Sequence, residues 1–569
     1  MSLVEQTAIL WASHPYFDEA SRAELAPPPA DIEERFCRDL EFGTGGLRGI
    51  IAAGTNRMNR YVVRHATQGL ADYINAVASN AKSVVIAHDC RRFSKEFALE
   101  AALTLNANGI AAFLWDDLRP TPMLSFAVRF LGATAGIVIT ASHNPKEYNG
   151  YKVYWSDGCQ VPPERASAIQ ERIRAITEIT TIHPMAEEEA RARGLLRSVA
   201  PWVDRAYYDQ ILALITSDRA LRHHINILYS PLHGTGNIPV RKVLAEAGFQ
   251  VSVVAEQELP DPEFSTVKSP NPEEPAVFEL ALKQAEREQP DVIMATDPDA
   301  DRLGVMLRDH AGRYRLLTGN QIGAILVDYV LASRQENGTL PANGAVIKTI
   351  ATSNMIEPLC RDHGVALLDT HTGFKFIGDK IREFEETGSH TFLFGFEESY
   401  GYLGATFVRD KDAVMAAAML ADAVAYQNAH GRTLFDALEQ IWKRCGFFQE
   451  DLYNVTLPGK EGQERIGAMM SALRQDPPGI FAGLPIAFAD DYAKGEGIDL
   501  ATGRRYRLEL GRAEVLHYRF ADGGFVMVRP SGTEPKLKIY VSVQAGSVAE
   551  AEELLKAVRT GVLKRMDLM

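Results

Sequence analysis

The chain has 569 residues, with 60 Lys and Arg against 74 Asp and Glu, for a net charge of −14. At roughly 150 residues per domain the length suits about four domains and excludes a small disulfide-stapled scaffold. With 46% apolar and 24% charged residues the composition excludes disorder as the main state. The acidic balance gives no general affinity for nucleic acid or anionic membrane, so an anionic substrate would need a local basic pocket.

The first forty residues read as helix, a break at Pro27, Pro28 and Pro29, then helix again, with Ile32, Phe36 and Leu40 at helical spacing. A glycine-rich loop, FGTGGLRGI, follows. Beyond it, strands and helices alternate. Ser83 to Asp89 is a buried-strand run, Phe97 to Ala107 a helix, and GIAAFLW and Ala135 to Thr140 are further strands. The rhythm repeats in INILYS, which opens into PLHGTG, then a helix from Val240 to Ala247 and the strand FQVSVVA. Pro260 to Pro275 reads as loop, Ala276 to Glu288 as a charged helix, and DVIMAT as a strand. A third unit begins near Gly319 and includes AVIKTI, TFLFGF and the Ala-rich helix from Asp412 to Ala425.

The last hundred residues differ. YRLEL, LHYRF, GFVMVRP and LKIYVSVQ are strand-like and sit beside one helix, joined to the rest through Gly446 to Pro458. The expected fold class is therefore α/β: three related α/β domains with mixed or parallel sheets, plus a smaller C-terminal α+β domain. The boundaries read as 1–205, 206–318, 319–450 and 451–569. Five scattered cysteines without a C-x-x-C pair suit a reducing compartment. The longest apolar run, Ala413 to Ala421, is too short to span a membrane, and the N-terminus lacks a basic or sustained apolar leader region. The expected location is cytoplasmic, with no nucleic-acid or membrane partner.

Five loops could carry chemistry. Asp297-Pro298-Asp299-Ala300-Asp301-Arg302 places three carboxylates at alternate positions after an apolar strand. Converging carboxylates repel unless a cation lies between them, and hard oxygen ligands select Mg²⁺ or Ca²⁺. An EF-hand is excluded, because Arg302 stands where the loop glycine belongs and Arg308 where the bidentate Glu belongs. Thr140-Ala141-Ser142-His143-Asn144-Pro145 presents a serine at a turn. Neighbouring residues of a strand point to opposite faces, so Ser142 and His143 do not by themselves imply a hydrolase pair. Lys146 and Lys152 offer positive charge nearby.

Arg529-Pro530-Ser531-Gly532-Thr533-Glu534-Pro535-Lys536 has the hydroxyls, glycine and guanidinium of a phosphate cradle. Gly395-Phe396-Glu397-Glu398-Ser399-Tyr400-Gly401 could exchange hydrogen bonds with sugar hydroxyls, and Gly43 to Gly49 is a weaker, non-Walker glycine loop. Each segment alone could be an ordinary turn. Together they equip a protein for phosphoryl transfer on a sugar phosphate.

In the order of these motifs, from about Phe42 to about Tyr540, the chain resembles the α-D-phosphohexomutase family. TASHNP is similar to the family's phosphoserine loop, DPDADR to its metal loop, THTGFKF with GFEESYG to its sugar-recognition region, and RPSGTEPK to its phosphate-binding loop. The resemblance implies four domains around a central cleft. It implies a phosphorylated Ser142, with one Mg²⁺ held by Asp297, Asp299, Asp301 and an oxygen of that phosphate.

It further implies Lys152 as acid–base, His143 as a proton-handling neighbour, and Arg48 and Arg302 on the transferring phosphoryl group. Thr372, Gly373, Glu397, Ser399 and Lys411 would face the sugar, and Arg529, Ser531, Gly532 and Thr533 would hold the other phosphate. The implied reaction interconverts glucose 1-phosphate and glucose 6-phosphate through glucose 1,6-bisphosphate, which also serves as primer. The N-terminal extension, Phe396 within GFEESYG and KEYNGYKVYW look like a branch that includes phosphopentomutases, so pentose and mannose phosphates are alternative substrates. A monomer or weak homodimer is expected. A metal-dependent sugar phosphatase and a sugar-phosphate binding protein are the more distant alternatives.

Overall fold

The structure is a computed structural model that describes residues 2–42, 46–78, 82–457, 459–530 and 536–568. The first sheet contains β1 (Gly46–Ile50), β2 (Ser83–His88), β3 (Ala111–Leu114), β4 (Ala135–Ile139), β5 (Tyr148–Trp155) and β6 (Leu196–Ser198), in the order β1-β5-β4-β2-β3-β6. Strands β2, β3, β4 and β6 run parallel, whereas β5 is antiparallel to both β4 and β1. The central strands β2 and β4 are apolar on both faces because helices cover both sides, as parallel sheets require.

The second sheet repeats the plan with β7 (Asn226–Ser230), β8 (Gln250–Val253), β9 (Val292–Thr296), β10 (Leu303–Arg308) and β11 (Tyr314–Leu316). Its order is β11-β10-β9-β7-β8, parallel through β7, β8 and β9 and antiparallel from β9 to β10 and β11. In both sheets the chemistry-bearing loop joins the last parallel strand to its antiparallel neighbour. Residues 140–147 link β4 to β5, and residues 297–302 link β9 to β10. Both loops leave the C-terminal end of a core strand, where open α/β sheets bind their ligands.

The third sheet has β12 (Gly344–Thr349) flanked in parallel by β13 (Ala366–Thr370) and β14 (Thr391–Glu397). A short strand, β15 (Gly401–Leu403), follows. The C-terminal sheet is antiparallel and comprises β16 (Phe447–Thr456), β17 (Ile480–Phe481), β18 (Leu484–Asp491), β19 (Glu496–Asp499), β20 (Arg505–Arg507), β21 (Leu516–Phe520), β22 (Phe525–Pro530) and β23 (Lys536–Ala545). The fold is three α/β sheets followed by an α+β C-terminal part. Chain contacts divide the protein into two compact units: Met1–Thr318 with Gly378–Thr387 and Ser399–Ala429, and Gly319–Ile377 with Gly388–Glu398 and His430–Met569.

Several expectations need correction. The second half of FGTGGLRGI is strand β1, not loop, because its backbone pairs with β5 from Gly46↔Lys152 to Ile50↔Tyr148. Residues 43–45 lie outside the described residues. The joint read at Gly446 to Pro458 is largely β16, a ten-residue strand that pairs with β23 along its whole length. The C-terminal part has two helices, Gly459–Gln475 and Val548–Arg565, rather than one. The helix read from Ala276 begins at Glu279, after a 3₁₀ turn over Pro275–Phe278.

Before the proline break there are two helices, Leu3–Ser13 and Glu19–Glu24, and the helix after it ends at Phe36, short of Leu40. The Ala-rich helix Ala413–Ala429 is buried all round, and Asp412, just before it, and Asp422, within it, are satisfied by the hydroxyls of Tyr207 and Ser217. Among the described residues no helix is long and apolar enough to cross a membrane.

The N-terminal extension belongs to the first core. Trp11 and Phe17 are fully buried, stack with ring centroids 4.3 Å apart, and meet Tyr61 edge-on from the helix Arg60–Val77. Deleting an aromatic side chain from such a cluster removes its transfer free energy and leaves a cavity. Trp11→Ala is expected to lower stability by about 3–5 kcal/mol, read by urea denaturation. An unchanged midpoint would mean that the extension does not fold with the first sheet.

Candidate active site

Ser142 begins the turn after β4, and its backbone is left-handed, with φ 52°. Its N–H donates to Thr140 Oγ1 at 2.9 Å. The loop behind it is clamped by Arg91, whose guanidinium is buried and donates to the carbonyls of Ser142 (2.6 Å), Asn144, Pro145 (2.8 Å) and Tyr148 (3.0 Å). Four carbonyls on one rigid guanidinium fix the loop more firmly than the turn sequence alone would.

The left-handed residue also overturns the opposite-face expectation for Ser142 and His143. At this turn the backbone is not a strand, and Ser142 Oγ lies 3.2 Å from His143 Nδ1. Burial, followed by the guanidinium groups of Arg302 and Arg48, holds the His143 pKa well below its ordinary value. A neutral imidazole beside the serine is the result.

The loop between β9 and β10 folds back on Asp297. Ala300 is left-handed (φ 51°), the Ala300 N–H donates to the Asp297 carbonyl, and the N–H groups of Asp301 and Arg302 both donate to Asp297 Oδ1 at 3.1 Å. This turn gathers Asp297, Asp299 and Asp301, all buried, so that one oxygen from each lies within 4.8 Å of the others. Gly234, in the PLHGTG loop, presses against the turn. A Cβ there would come within 2.5 Å of the Pro298 backbone, and the Thr235 N–H donates to the Pro298 carbonyl.

The serine and the carboxylates meet. Ser142 Oγ donates to Asp297 Oδ2 at 2.6 Å. Lys152, on β5, places Nζ 2.8 Å from Asp299 Oδ2 and 3.6 Å from Asp301 Oδ2. Lys411 Nζ lies 3.2 Å from both Asp301 Oδ2 and Asp410 Oδ1. Thr121 Oγ1 donates to Asp299 Oδ2 at 2.8 Å. Burial and then the neighbouring carboxylates push Asp297 well above the ordinary carboxylate range. Burial acts the same way on Asp299, but Lys152 outweighs it and the group is held low. For Lys152, burial works against the charged form, and Asp299 and Asp301 overcome it and raise the pKa.

Asp299 Oδ1 and Asp301 Oδ1 are buried and accept no hydrogen bond among the described residues. The donor set is all hard oxygen, so the three residues suit an oxygen-seeking divalent cation. Arg302 extends from the same loop to pair with Glu273, and Arg48 Nη1 donates to Asn144 Oδ1 at 3.1 Å from an exposed position on β1.

The second unit holds other expected residues. Glu397 closes β14 and accepts the Gly373 N–H at 2.7 Å, and Gly373 has a positive φ of 124°. The Thr372 Oγ1 atom is buried without a hydrogen-bond partner among the described residues. Phe396, the departure within GFEESYG, is a core side chain whose ring lies over Gly323, where a Cβ would come within 2.2 Å. Glu398 turns instead to the hydroxyls of Thr349 and Thr352. Ser399 belongs to the first unit, as does Lys411, which joins the carboxylate cluster. Arg529 ends β22. Ser531, Gly532 and Thr533 lie outside the described residues.

Sequence reasoning missed Arg91, Thr121, Asp410 and Lys375. Arg91 could have been suspected from HDCRR at the C-terminal end of β2. Asp410 bridges Lys411 and Tyr154, whose hydroxyl donates to it at 2.6 Å. Lys375 lies within electrostatic reach of Arg529 in the same unit, and burial followed by that guanidinium lowers its pKa to about 8. A lysine inside the quoted THTGFKF was its only sequence signal.

Four consecutive segments match the domains of one family. Residues 39–180, 205–312 and 318–445 match the Phosphoglucomutase/phosphomannomutase alpha/beta/alpha domains I, II and III, and residues 452–561 match its C-terminal domain. A phosphoglucomutase of Staphylococcus haemolyticus is 37% identical over 524 residues, covering 92% of this chain and 93% of the relative. One of Staphylococcus aureus (strain USA300) is 36% identical over 534 residues, covering 93% and 94%. The solved structure of a phosphoglucomutase/phosphomannomutase family protein from Burkholderia thailandensis shares the fold, with a TM-score of 0.68 at 18% identity over 92% of this chain and 97% of that one. With the four domains in order and relatives that align almost end to end, the chain belongs to the phosphoglucomutase/phosphomannomutase family of phosphosugar mutases.

Proposed function

We propose that the protein interconverts glucose 1-phosphate and glucose 6-phosphate, with Ser142 as the phosphoryl carrier. The observation that carries this reading is the 2.6 Å contact between Ser142 Oγ and Asp297 within a triad of buried carboxylates. A serine oxygen beside a cation site is what a stepwise phosphoryl transfer requires, because the serine divides an internal migration into two easier displacements. The names of the aligned relatives favour glucose as the sugar. The reaction passes through glucose 1,6-bisphosphate, which also primes the enzyme, and the compartment is the cytoplasm.

Asp297, Asp299 and Asp301 would hold Mg²⁺, whose charge polarises and neutralises the phosphoryl group when bound. The chain's own groups do the rest. Arg91 and the left-handed turn hold Ser142 Oγ toward the carboxylates. Arg48 and Arg302 supply positive charge for the phosphoryl oxygens. Lys152 exchanges the proton of the reacting sugar hydroxyl, and neutral His143 handles the serine proton. Glu397, Thr372, Gly373 and Ser399 read the sugar hydroxyls, and Lys411 braces the carboxylates on the substrate side. Arg529, Ser531, Gly532 and Thr533 hold the phosphate that stays in place, and Lys375 adds charge there.

The reading is tested by kcat/KM for glucose, mannose, ribose and N-acetylglucosamine 1-phosphates on one preparation, with glucose expected to lead. A ribose or mannose preference would keep the mechanism and change the substrate. Ser142→Ala is expected to lower kcat by on the order of 10³-fold or more. Full turnover in that variant would remove the serine from the reaction, and stoichiometric release of inorganic phosphate by the wild type would indicate a phosphatase instead.

Chelation should abolish turnover and added Mg²⁺ restore it. Gly234→Ala, which forces a methyl group against Pro298, is expected to raise the Mg²⁺ concentration for half-maximal activity by about tenfold, a loss of about 1.4 kcal/mol of binding. Indifference to chelator would dismiss the triad as a cation site.

A further inference from the structure

A second cavity in the first unit, of about 560 Å³, is separate from the serine and its carboxylates. Its wall is aromatic. Phe126 and Phe130 stack with centroids 4.9 Å apart, and Phe407 meets Phe126 edge-on at 6.1 Å. Phe130 remains 46% exposed. The polar side of the cavity holds Arg129 and Arg409 with a single carboxylate, Glu385, pairing both.

Arg409 is 1% exposed, and its Nε and Nη1 atoms have no hydrogen-bond partner among the described residues. Burying a guanidinium is costly unless its donors are met, and here the one carboxylate partner among the described residues is itself about half exposed (47%). Burial and then the nearby Arg409 charge also lower the pKa of Arg129. Arg382, at the rim, stays out of the cavity's charge count, because Asp379 and Glu386 already pair with it.

The charge count selects the ligand. Arg129 and Arg409 are balanced by Glu385 and the rim residue Asp157, so displacing Glu385 leaves one positive charge. One carboxylate replaces it evenly, whereas a dianionic phosphate monoester would overcompensate beside Asp157. Being half exposed, Glu385 can turn to water once another carboxylate takes over its ion pair with Arg409. We propose that this cavity is a second ligand site, for a small aromatic monocarboxylate whose carboxylate takes the place of Glu385 between Arg129 and Arg409 and whose ring lies against Phe126, Phe130 and Phe407. A carboxylate forked on Arg409 takes Nη2 in place of Glu385 together with one adjoining donor, Nε or Nη1, that no described residue meets, and the ring gains the stacking that Phe130 now offers to water.

The test is calorimetric titration of the full chain with 2-naphthoate. Saturable one-to-one binding is expected, with a dissociation constant on the order of 1 mM or below for a ligand of about thirteen heavy atoms. Glucose 6-phosphate in excess should not displace it. The neutral isostere 2-naphthamide should bind at least about tenfold more weakly, as should the Phe130→Ala variant toward naphthoate. Glu385→Ala, which removes the internal competitor, should bind naphthoate about five- to tenfold more tightly. Both substitutions lie at partly exposed positions outside the catalytic machinery and should leave mutase turnover unchanged. The proposal is overturned by displacement with glucose 6-phosphate, by equal affinity for the amide, or by absence of binding to both wild type and Glu385→Ala at 10 mM probe, about ten times the expected constant.

Discussion

The mutual repulsion of three buried carboxylates organises the first unit. Asp297, Asp299 and Asp301 lie on one short turn, out of contact with water, where like charges interact far more strongly than at a surface. Their compensation comes from elsewhere in the chain. Lys152 and Ser142 reach in from the first sheet, Thr121 from the helix before β4, and Lys411 from the stretch after β15. A site of this kind forms only when segments hundreds of residues apart have already folded around it. The electrostatic demand of the turn therefore also ties the first two sheets and residues 399–429 into one compact unit.

The serine loop meets a different demand, that of holding an oxygen still. A left-handed non-glycine residue persists only where its surroundings over-determine it, and such residues cluster at functional sites. Here the surroundings are the four carbonyls gathered by Arg91 and the bond from Ser142 N–H to Thr140. Ala300 repeats the device on the facing turn. Two left-handed residues on two loops aim a serine oxygen and a carboxylate at each other, which two ordinary strand-to-strand turns would not do.

The succession of α/β units was legible because their central strands are apolar on both faces, a pattern that alternation with polar helices cannot hide. Strands β1 and β16 were not. The first is masked by glycines that allow close approach to β5, as at Gly46, where a Cβ would meet the Tyr151 carbonyl at 2.2 Å. The second pairs with a partner some ninety residues later, and its own stretch QEDLYN carries no apolar alternation. The site divides in the same way. The carboxylates, the serine and Lys152 announce themselves as motifs, whereas Arg91 and Thr121 act through distant partners that only the fold supplies. Phe396 shows the converse: an irregularity inside a motif that reads as a specificity signal is a core side chain of β14, a strand buried on both faces.

The carboxylate turn could in principle be a structural ion-pair cluster completed by its own lysines. The hydrogen-bond inventory argues otherwise. Two ammonium groups, a serine and a threonine hydroxyl and two backbone N–H groups already converge on the turn, yet Asp299 Oδ1 and Asp301 Oδ1 still accept no hydrogen bond among the described residues. A structural cluster with that many donors close by would relax until its oxygens were met, since an unmet buried acceptor costs about 1–3 kcal/mol. Burial and then the neighbouring carboxylates also raise the Asp297 pKa, which a fully compensated ion pair would hold down. The turn remains under-compensated, and its unmet oxygens leave it able to hold a small, hard cation.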